Sequence, residues 1–268
     1  MHSTIDVLFS PADFCALSNR DLSSTVCVVF DVLRATSVFV VALANGAQGI
    51  IPVASIEEAL EQKRRRSNVL LGGERNGLRI GPDLTGGVGF DLGNSPREYV
   101  RERVTGKFIV STTTNGTRAL RACAGAKNIL ASSFLNSSAT QGWIVNQNPR
   151  HLLILCAGTG DDVALEDMLA AGALCDSLAS LLPLGECGDA FEISRRAYRQ
   201  SASDLPAAVR SSRNARRLLA NPDLRDDVEI CLSRDSCHLV PILEEDGIIR
   251  KASETELSHH HSSHDVVS

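Results

Sequence analysis

The chain is poor in aromatic residues, with one Trp, two Tyr and eight Phe among 268 residues. Few rings are available for base stacking, and a net charge of −5 supplies no general basic surface, so the composition argues against a nucleic-acid partner. No segment approaches the roughly 20 consecutive apolar residues that a membrane span needs. The N-terminal segment MHSTIDVLFSPADF also lacks a charged region followed by a long apolar one. A soluble cytoplasmic protein without a membrane partner is expected. Eight cysteines are present, but none forms a C-x-x-C pair, which argues against a zinc site and against a disulfide framework. Cys156 precedes a glycine loop. Where a Cys-x5-Arg phosphatase loop needs its arginine, however, stands Asp162, an acid that would raise the thiol pKa and repel phosphate.

What is present is enough apolar residue, 43% of the chain, to bury a substantial core. Strand-like and helix-like patterns alternate, the signature of an α/β architecture with a layered mixed sheet and flanking helices. Strands are expected over 25–31, 49–53, 68–71, 107–112, 127–131 and 151–156. Ser55 with Glu58, and Ser95 with Pro96 and Glu98, form capping boxes that predict two helix starts. The stretch 72–95 holds eight glycines and reads as a long irregular loop of the kind that is usually functional. One long helix follows Gly158, and further helical segments run to about Asp235. A closing strand pair turns around Asp246 and Gly247, with Pro241 making its first strand peripheral. Residues 1–250 read as a single catalytic domain in which any subdomain boundary falls near 184–189. The polar segment 251–268 reads as a disordered tail, and His259, His260, His261 and His264 as its composition rather than a metal site.

The most informative chemistry lies in FIVSTTTNGTRAL (108–120), an apolar strand that ends in hydroxyls and an Asn-Gly pair before a helix start. Thr112, Thr113 and Thr114 offer hydroxyls, and Asn115 and Gly116 let backbone N–H groups approach an anion, which suits a phosphate or sulfonate. In VVFDVLRATS, Asp31 and Arg34 can hold a metal ion and a phosphate side by side, or else pair with each other or cap the next helix. The D-x-D motif of haloacid dehalogenases is ruled out because Leu33 occupies its second acidic position. In GGERNG, Glu74 can coordinate a cation, and Arg75 together with Asn94 can bind an anion. Asp91, Asn94 and Ser95 are also explained by an Asx-turn and a helix cap. Glu166 and Asp167 point about 100° apart on a helix and can flank Mg²⁺, or form a solvated acidic pair that the helix dipole favours. Asp83 reads as plain turn chemistry, Asp161 and Asp162 as a solvated pair that the helix dipole favours, and Arg195, Arg196, Arg199, Arg210, Arg213, Arg216 and Arg217 mostly as a solvated helical face.

Taken in order, FDVLRATS (30–37), LLGGERNGL (70–78), FDLGNSP (90–96), STTTNGT (111–117), CAGTGDDVALEDMLAAGA (156–173) and the segment 212–241 closely resemble the Mg²⁺-dependent 2-phosphosulfolactate phosphatases of coenzyme M biosynthesis. The resemblance covers about residues 4–245 and implies a fold peculiar to that family. It also implies a Mg²⁺ cofactor and hydrolysis of a small anionic phosphoester, 2-phosphosulfolactate, to 3-sulfolactate and inorganic phosphate. Asp31, Arg34 and Glu166 are then catalytic, and the metal ligands come from Asp31, Glu74, Glu166 and Asp167. Arg75, Asn94, Ser95 and residues 112–116 bind substrate. The sequence departs from the family pattern at Ala164, where serine is frequent, and at Ala170, where cysteine is. Two alternatives stay open, a phosphatase for another small 2-phospho-acid and a non-catalytic anion-binding protein. Either a monomer or a symmetric homodimer is compatible with the chain.

Overall fold

A computed structural model describes residues 2–253 of the chain. The four histidines of the C-terminal segment lie outside them. Strands form over Thr4–Leu8 (β1), Thr25–Phe30 (β2), Gly49–Pro52 (β3), Val69–Arg75 (β4) and Leu78–Arg79 (β5). The remaining strands are Phe108–Thr112 (β6), Asn128–Ser132 (β7), His151–Cys156 (β8), Pro241–Leu243 (β9) and Ile249–Lys251 (β10). Helices span Ala35–Ala44 (α1), Ile56–Arg65 (α2), Arg101–Val104 (α3), Gly116–Ala122 (α4) and Ser137–Gln147 (α5). They continue with Leu165–Leu178 (α6), Asp189–Ser201 (α7), Leu205–Arg210 (α8), Arg213–Leu219 (α9) and Asp226–Cys231 (α10). No described helix is long and apolar enough to cross a membrane.

The six expected strands all form and join one sheet in the order β1-β8-β2-β7-β9-β10-β3-β6-β4-β5. Every residue of β2 is buried, as a parallel strand covered on both faces requires. Alternate residues serve opposite layers. Val26, Val28 and Phe30 pack with α6 and α7, whereas Cys27 and Val29 pack with α1 and α4. Of the cysteines, Cys27, Cys123, Cys156, Cys175 and Cys231 are buried free thiols, and Cys15 is exposed.

Several local expectations are corrected. The β9–β10 hairpin is not peripheral: it sits mid-sheet, with β9 antiparallel to β7 and β10 antiparallel to β3. Pro241 is tolerated there because it opens its strand, where a missing N–H costs no interior ladder bond. The described fold runs past 250, since Lys251 closes β10 and Ala252 is buried in the core, and the rest of the segment expected to be a disordered tail, 254–268, lies outside the described residues. Residues 72–95 are not irregular throughout, because β4 runs on to Arg75 and turns back as β5. Ser55 caps α2 by accepting the Glu58 N–H at 3.1 Å, and Glu58 reaches back to the N–H of Ala54. Ser95 starts only a single 3-10 turn, Pro96–Glu98, because its hydroxyl is drawn to Asp227 at 2.6 Å instead. Segment 184–189 connects α6 to α7, which cross so closely that a Cβ on Gly172 would lie 2.1 Å from the Ser194 carbonyl oxygen.

The mid-sheet hairpin decides where the site forms. It makes the parallel set β1, β8, β2, β7 run opposite to the parallel set β3, β6, β4. Five strand-to-strand steps separate β2 from β6. At about 20–25° of twist per step, the two opposed directions end up roughly 55–80° apart, so the C-terminal ends of both sets can converge at one corner.

Candidate active site

At that corner lies a cavity of about 130 Å³. The loop after β2 lends it Asp31 and Arg34, and the β4–β5 turn lends Glu74 and Gly77. Thr113, Thr114 and Asn115 come from the β6–α4 turn, Thr159 and Gly160 from the β8–α6 loop, and Asn214 and Arg217 from α9. Asn94 completes the wall.

Asp31 is held by its own helix start. Its N–H donates to the Thr36 hydroxyl at 3.0 Å, and its Oδ1 accepts the Ala35 N–H at 3.1 Å. The carboxyl is 8% exposed, and burial pushes its pKa up to about 6, with the charges of Glu74 and Glu166 adding to the effect. The Ala35 hydrogen bond and the Arg34 charge oppose that shift. Oδ2 faces the β6–α4 turn, where a Cβ on Gly116 would come within 2.9 Å of it. Glycine at 116 is therefore a packing requirement, since it lets α4 start against the acid.

Glu74 ties two loops together. One oxygen accepts the Thr114 N–H at 3.0 Å and the Thr114 hydroxyl at 2.8 Å, and the other accepts the Gly77 N–H at 2.7 Å. Arg75 does not line the cavity: its guanidinium donates to the Glu74 carbonyl at 2.7 Å and to the Thr112 hydroxyl at 3.1 Å. Thr112 is spent on that contact. Thr113, Thr114 and Asn115 face the cavity, and Asn115 Oδ1 accepts the Gly160 N–H at 3.3 Å.

Glu166 and Asp167 are buried rather than solvated. Asp167 accepts the Val32 N–H at 2.8 Å and the Gly158 N–H at 3.1 Å, joining the ends of β2 and β8. Its pKa is raised well above the usual carboxylate range by burial, then by the charges of Glu166 and Asp31. Glu166, 1% exposed, accepts a 2.6 Å hydrogen bond from Asn214 at Oε1, while its Oε2 is buried without a hydrogen-bond partner. Among the described residues no three His, Cys, Asp or Glu side chains converge as a complete metal cage. A hard cation that draws its other ligands from water and substrate still fits. Asp31, Glu166 and Asp167 repel one another electrostatically, and one carboxylate oxygen has its coordination unmet.

Arg34 does not pair with Asp31; it stands at the N-cap position of α1 without a capping side-chain bond, and the Asp31 carboxylate does the capping by accepting the Ala35 N–H. Arg34 donates to Asp227 at 2.7 Å and to the Gly77 carbonyl at 2.7 Å, and it is buried at the cavity wall. Asp227, fully buried, also accepts the Ser95 hydroxyl at 2.6 Å and Arg97 Nε at 2.9 Å. Ser95 thus supports the site from behind, whereas Asn94 lines it. Sequence reasoning missed Asp227, Arg97, Thr159 and Asn214. The signal for Asn214 and Arg217 was their i, i+3 spacing, which puts both on one helix face, but the surrounding arginines read as solvated. Asp161 and Asp162 are exposed, as expected, and pair at the surface with Arg118 and Arg213.

Known proteins resemble this chain over most of its length. A sequence profile described as 2-phosphosulpholactate phosphatase matches residues 15–246. A protein of Caldanaerobacter subterraneus subsp. tengcongensis named probable 2-phosphosulfolactate phosphatase is 39% identical over 241 residues, covering 89% of this chain and 95% of the relative. Proteins of the same name from Thermotoga maritima and Clostridium acetobutylicum are 38% and 34% identical, covering 89% and 88% of this chain and 95% and 96% of those relatives. With the profile spanning both halves of the sheet and every cavity wall, the chain belongs to the 2-phosphosulpholactate phosphatase family.

Proposed function

We propose that the protein is a Mg²⁺-dependent phosphoric monoester hydrolase that converts 2-phosphosulfolactate to 3-sulfolactate and inorganic phosphate. The observation that carries this reading is the displaced acid Asp31 lining one cavity with a hydroxyl-rich turn, while the buried Glu166–Asp167 pair, which does not line the cavity, lies close enough behind Asp31 to interact with its charge. Displaced ionisation next to a polar cavity is what phosphoryl chemistry asks of a site. The activity for which the relatives are named supplies the substrate.

Mg²⁺ would be held by carboxylates drawn from Asp31, Glu74, Glu166 and Asp167, with Glu166 Oε2 supplying an oxygen whose coordination is otherwise unmet. When bound it offsets charge on the phosphate oxygens and on the leaving alkoxide. The chain does the positioning. Thr113, Thr114 and Asn115 line the place where the phosphoryl group sits. Arg34, clamped by Asp227 and the Gly77 carbonyl, presents its remaining donors with little reorganisation, the condition under which fixed donors stabilise developing charge best. Asp31 Oδ2, the oxygen not engaged by Ala35, accepts the proton of the attacking water.

The test is phosphate release from 2-phosphosulfolactate and from phospholactate, each with excess Mg²⁺ and with a chelator. Release from the sulfonated substrate that the chelator abolishes and Mg²⁺ restores is the expected result. Equal turnover of both substrates would keep the phosphatase and discard the substrate assignment. No release from either would overturn the reading in favour of an anion-binding protein.

A further inference from the structure

The arginines around the cavity are almost all occupied. Arg34 is held by Asp227, Arg75 by Thr112, Arg118 by Asp161, and Arg213 by Asp162 at 2.9 Å. Arg216 donates to the Ser211 carbonyl at 2.8 Å. Arg217 differs. It is exposed, it lines the cavity, and among the described residues no carboxylate or carbonyl is bonded to it.

Its position is set by the same helix that reaches the buried acids. Ser212 caps α9, accepting the Ala215 N–H at 3.2 Å. Asn214, one turn before Leu218, donates to the Thr159 hydroxyl at 2.8 Å and to Glu166 at 2.6 Å. These contacts fix the face of α9 that carries Asn214 and Arg217. Across from it stands Gly77, where a Cβ would lie 2.6 Å from Arg217 Nη2. The carbonyl of that same glycine binds Arg34. One residue thus separates two guanidinium groups, a buried one committed to the framework and one at the rim with its charge unspent.

Resting on the phosphatase reading, we infer that Arg217 determines specificity by binding a non-transferred anion of the substrate, which carries both a carboxylate and a sulfonate a few bonds from the ester oxygen. A planar guanidinium fork suits either group by paired charge-assisted hydrogen bonds. Arg75, the sequence-level candidate for this contact, is turned onto Thr112 and does not line the cavity.

The experiment compares wild type, Arg217→Ala and Arg217→Lys on 2-phosphosulfolactate and on isopropyl phosphate, which has no second anion, with 3-sulfolactate as product inhibitor. In Arg217→Ala the ratio of kcat/KM for the sulfonated over the neutral-tailed ester falls on the order of 10- to 100-fold, the size expected for one charged hydrogen-bonding partner. The loss sits mainly in KM, 3-sulfolactate inhibits correspondingly less, and Arg217→Lys recovers part of the ratio. An unchanged ratio, or an equal fall on both esters, overturns the inference while leaving the phosphatase standing. If wild type hydrolyses neither ester, the functional reading has failed. Calorimetric binding of 3-sulfolactate then decides about Arg217 alone: equal affinity in wild type and Arg217→Ala overturns it, and weakened affinity in the variant supports it.

Discussion

Replacing Asp31 by Asn should make the protein more stable at neutral pH and unable to release phosphate. The folded state raises the Asp31 pKa from its ordinary 3.8 to about 6, mainly through burial. The folded chain therefore holds a proton there that the unfolded chain has already lost. The favourable contribution of the neutral carboxyl is complete below 3.8 and is lost as pH rises through about 6. Above that range the ionised group costs about 3 kcal/mol relative to a carboxyl of ordinary acidity. Asn keeps the acceptor for the Ala35 N–H and the backbone bond to Thr36, so little else is lost. Urea unfolding with a chelator present should show Asp31→Asn more stable by about 2–3 kcal/mol at pH 7.5, with the gap closing toward pH 4. Excess Mg²⁺ should narrow the gap at pH 7.5, because a cation at the acid cluster binds the chain that keeps the Asp31 charge more tightly than the variant and so stabilises it more. A variant less stable than wild type at pH 7.5, or a difference that does not change with pH, would refute the electrostatic reasoning. Phosphate release unchanged by the substitution would refute the assignment of Asp31 to the reaction.

Asp227→Asn should destabilise the protein by about 3–5 kcal/mol, since it leaves the buried Arg34 without its counter-charge and turns an amide donor toward the donors of Ser95 and Arg97. A urea midpoint corresponding to a loss under about 1 kcal/mol would mean that Arg34 does not depend on Asp227. Gly172→Ala should cost at least about 1–3 kcal/mol, because the added methyl meets the Ser194 backbone rather than a side chain that can move aside. Thermal unfolding measures this, and a variant as stable as wild type would show that α6 and α7 separate at little cost.

The sequence was most legible where local physics decides. The short β-branched run TVCVVF reads as a buried strand, and it is one, covered on both faces. The Ser55 cap and the existence of a long helix after Gly158 followed from side-chain-to-backbone bonding and periodicity that operate within a few residues, although that helix begins only at Leu165. Asp31, Glu74 and the 113–115 turn were legible because each ends a strand in polar residues and the cavity forms at strand ends. Ser95 was misread as a helix cap because its partner, Asp227, lies 132 positions away. Pro241 was misread as a mark of an edge strand because its effect depends on where along the strand it falls. Arg75 and Arg217 are both arginines beside polar loops, and nothing local tells which one faces the cavity.

By itself, then, the sequence determined eight of the ten strands, the helix starts at Ser55 and Gly116 and the chemical character of the site, since hydrophobic period and capping act over a few residues. Tertiary structure alone decided that the β9–β10 hairpin joins two opposed parallel sets and brings their ends to one corner. It alone decided, too, that Asp227 holds Arg34 and that Arg217 keeps its charge for a ligand. Those outcomes rest on twist accumulated across the sheet and on pairings between residues more than a hundred positions apart, which no local pattern encodes.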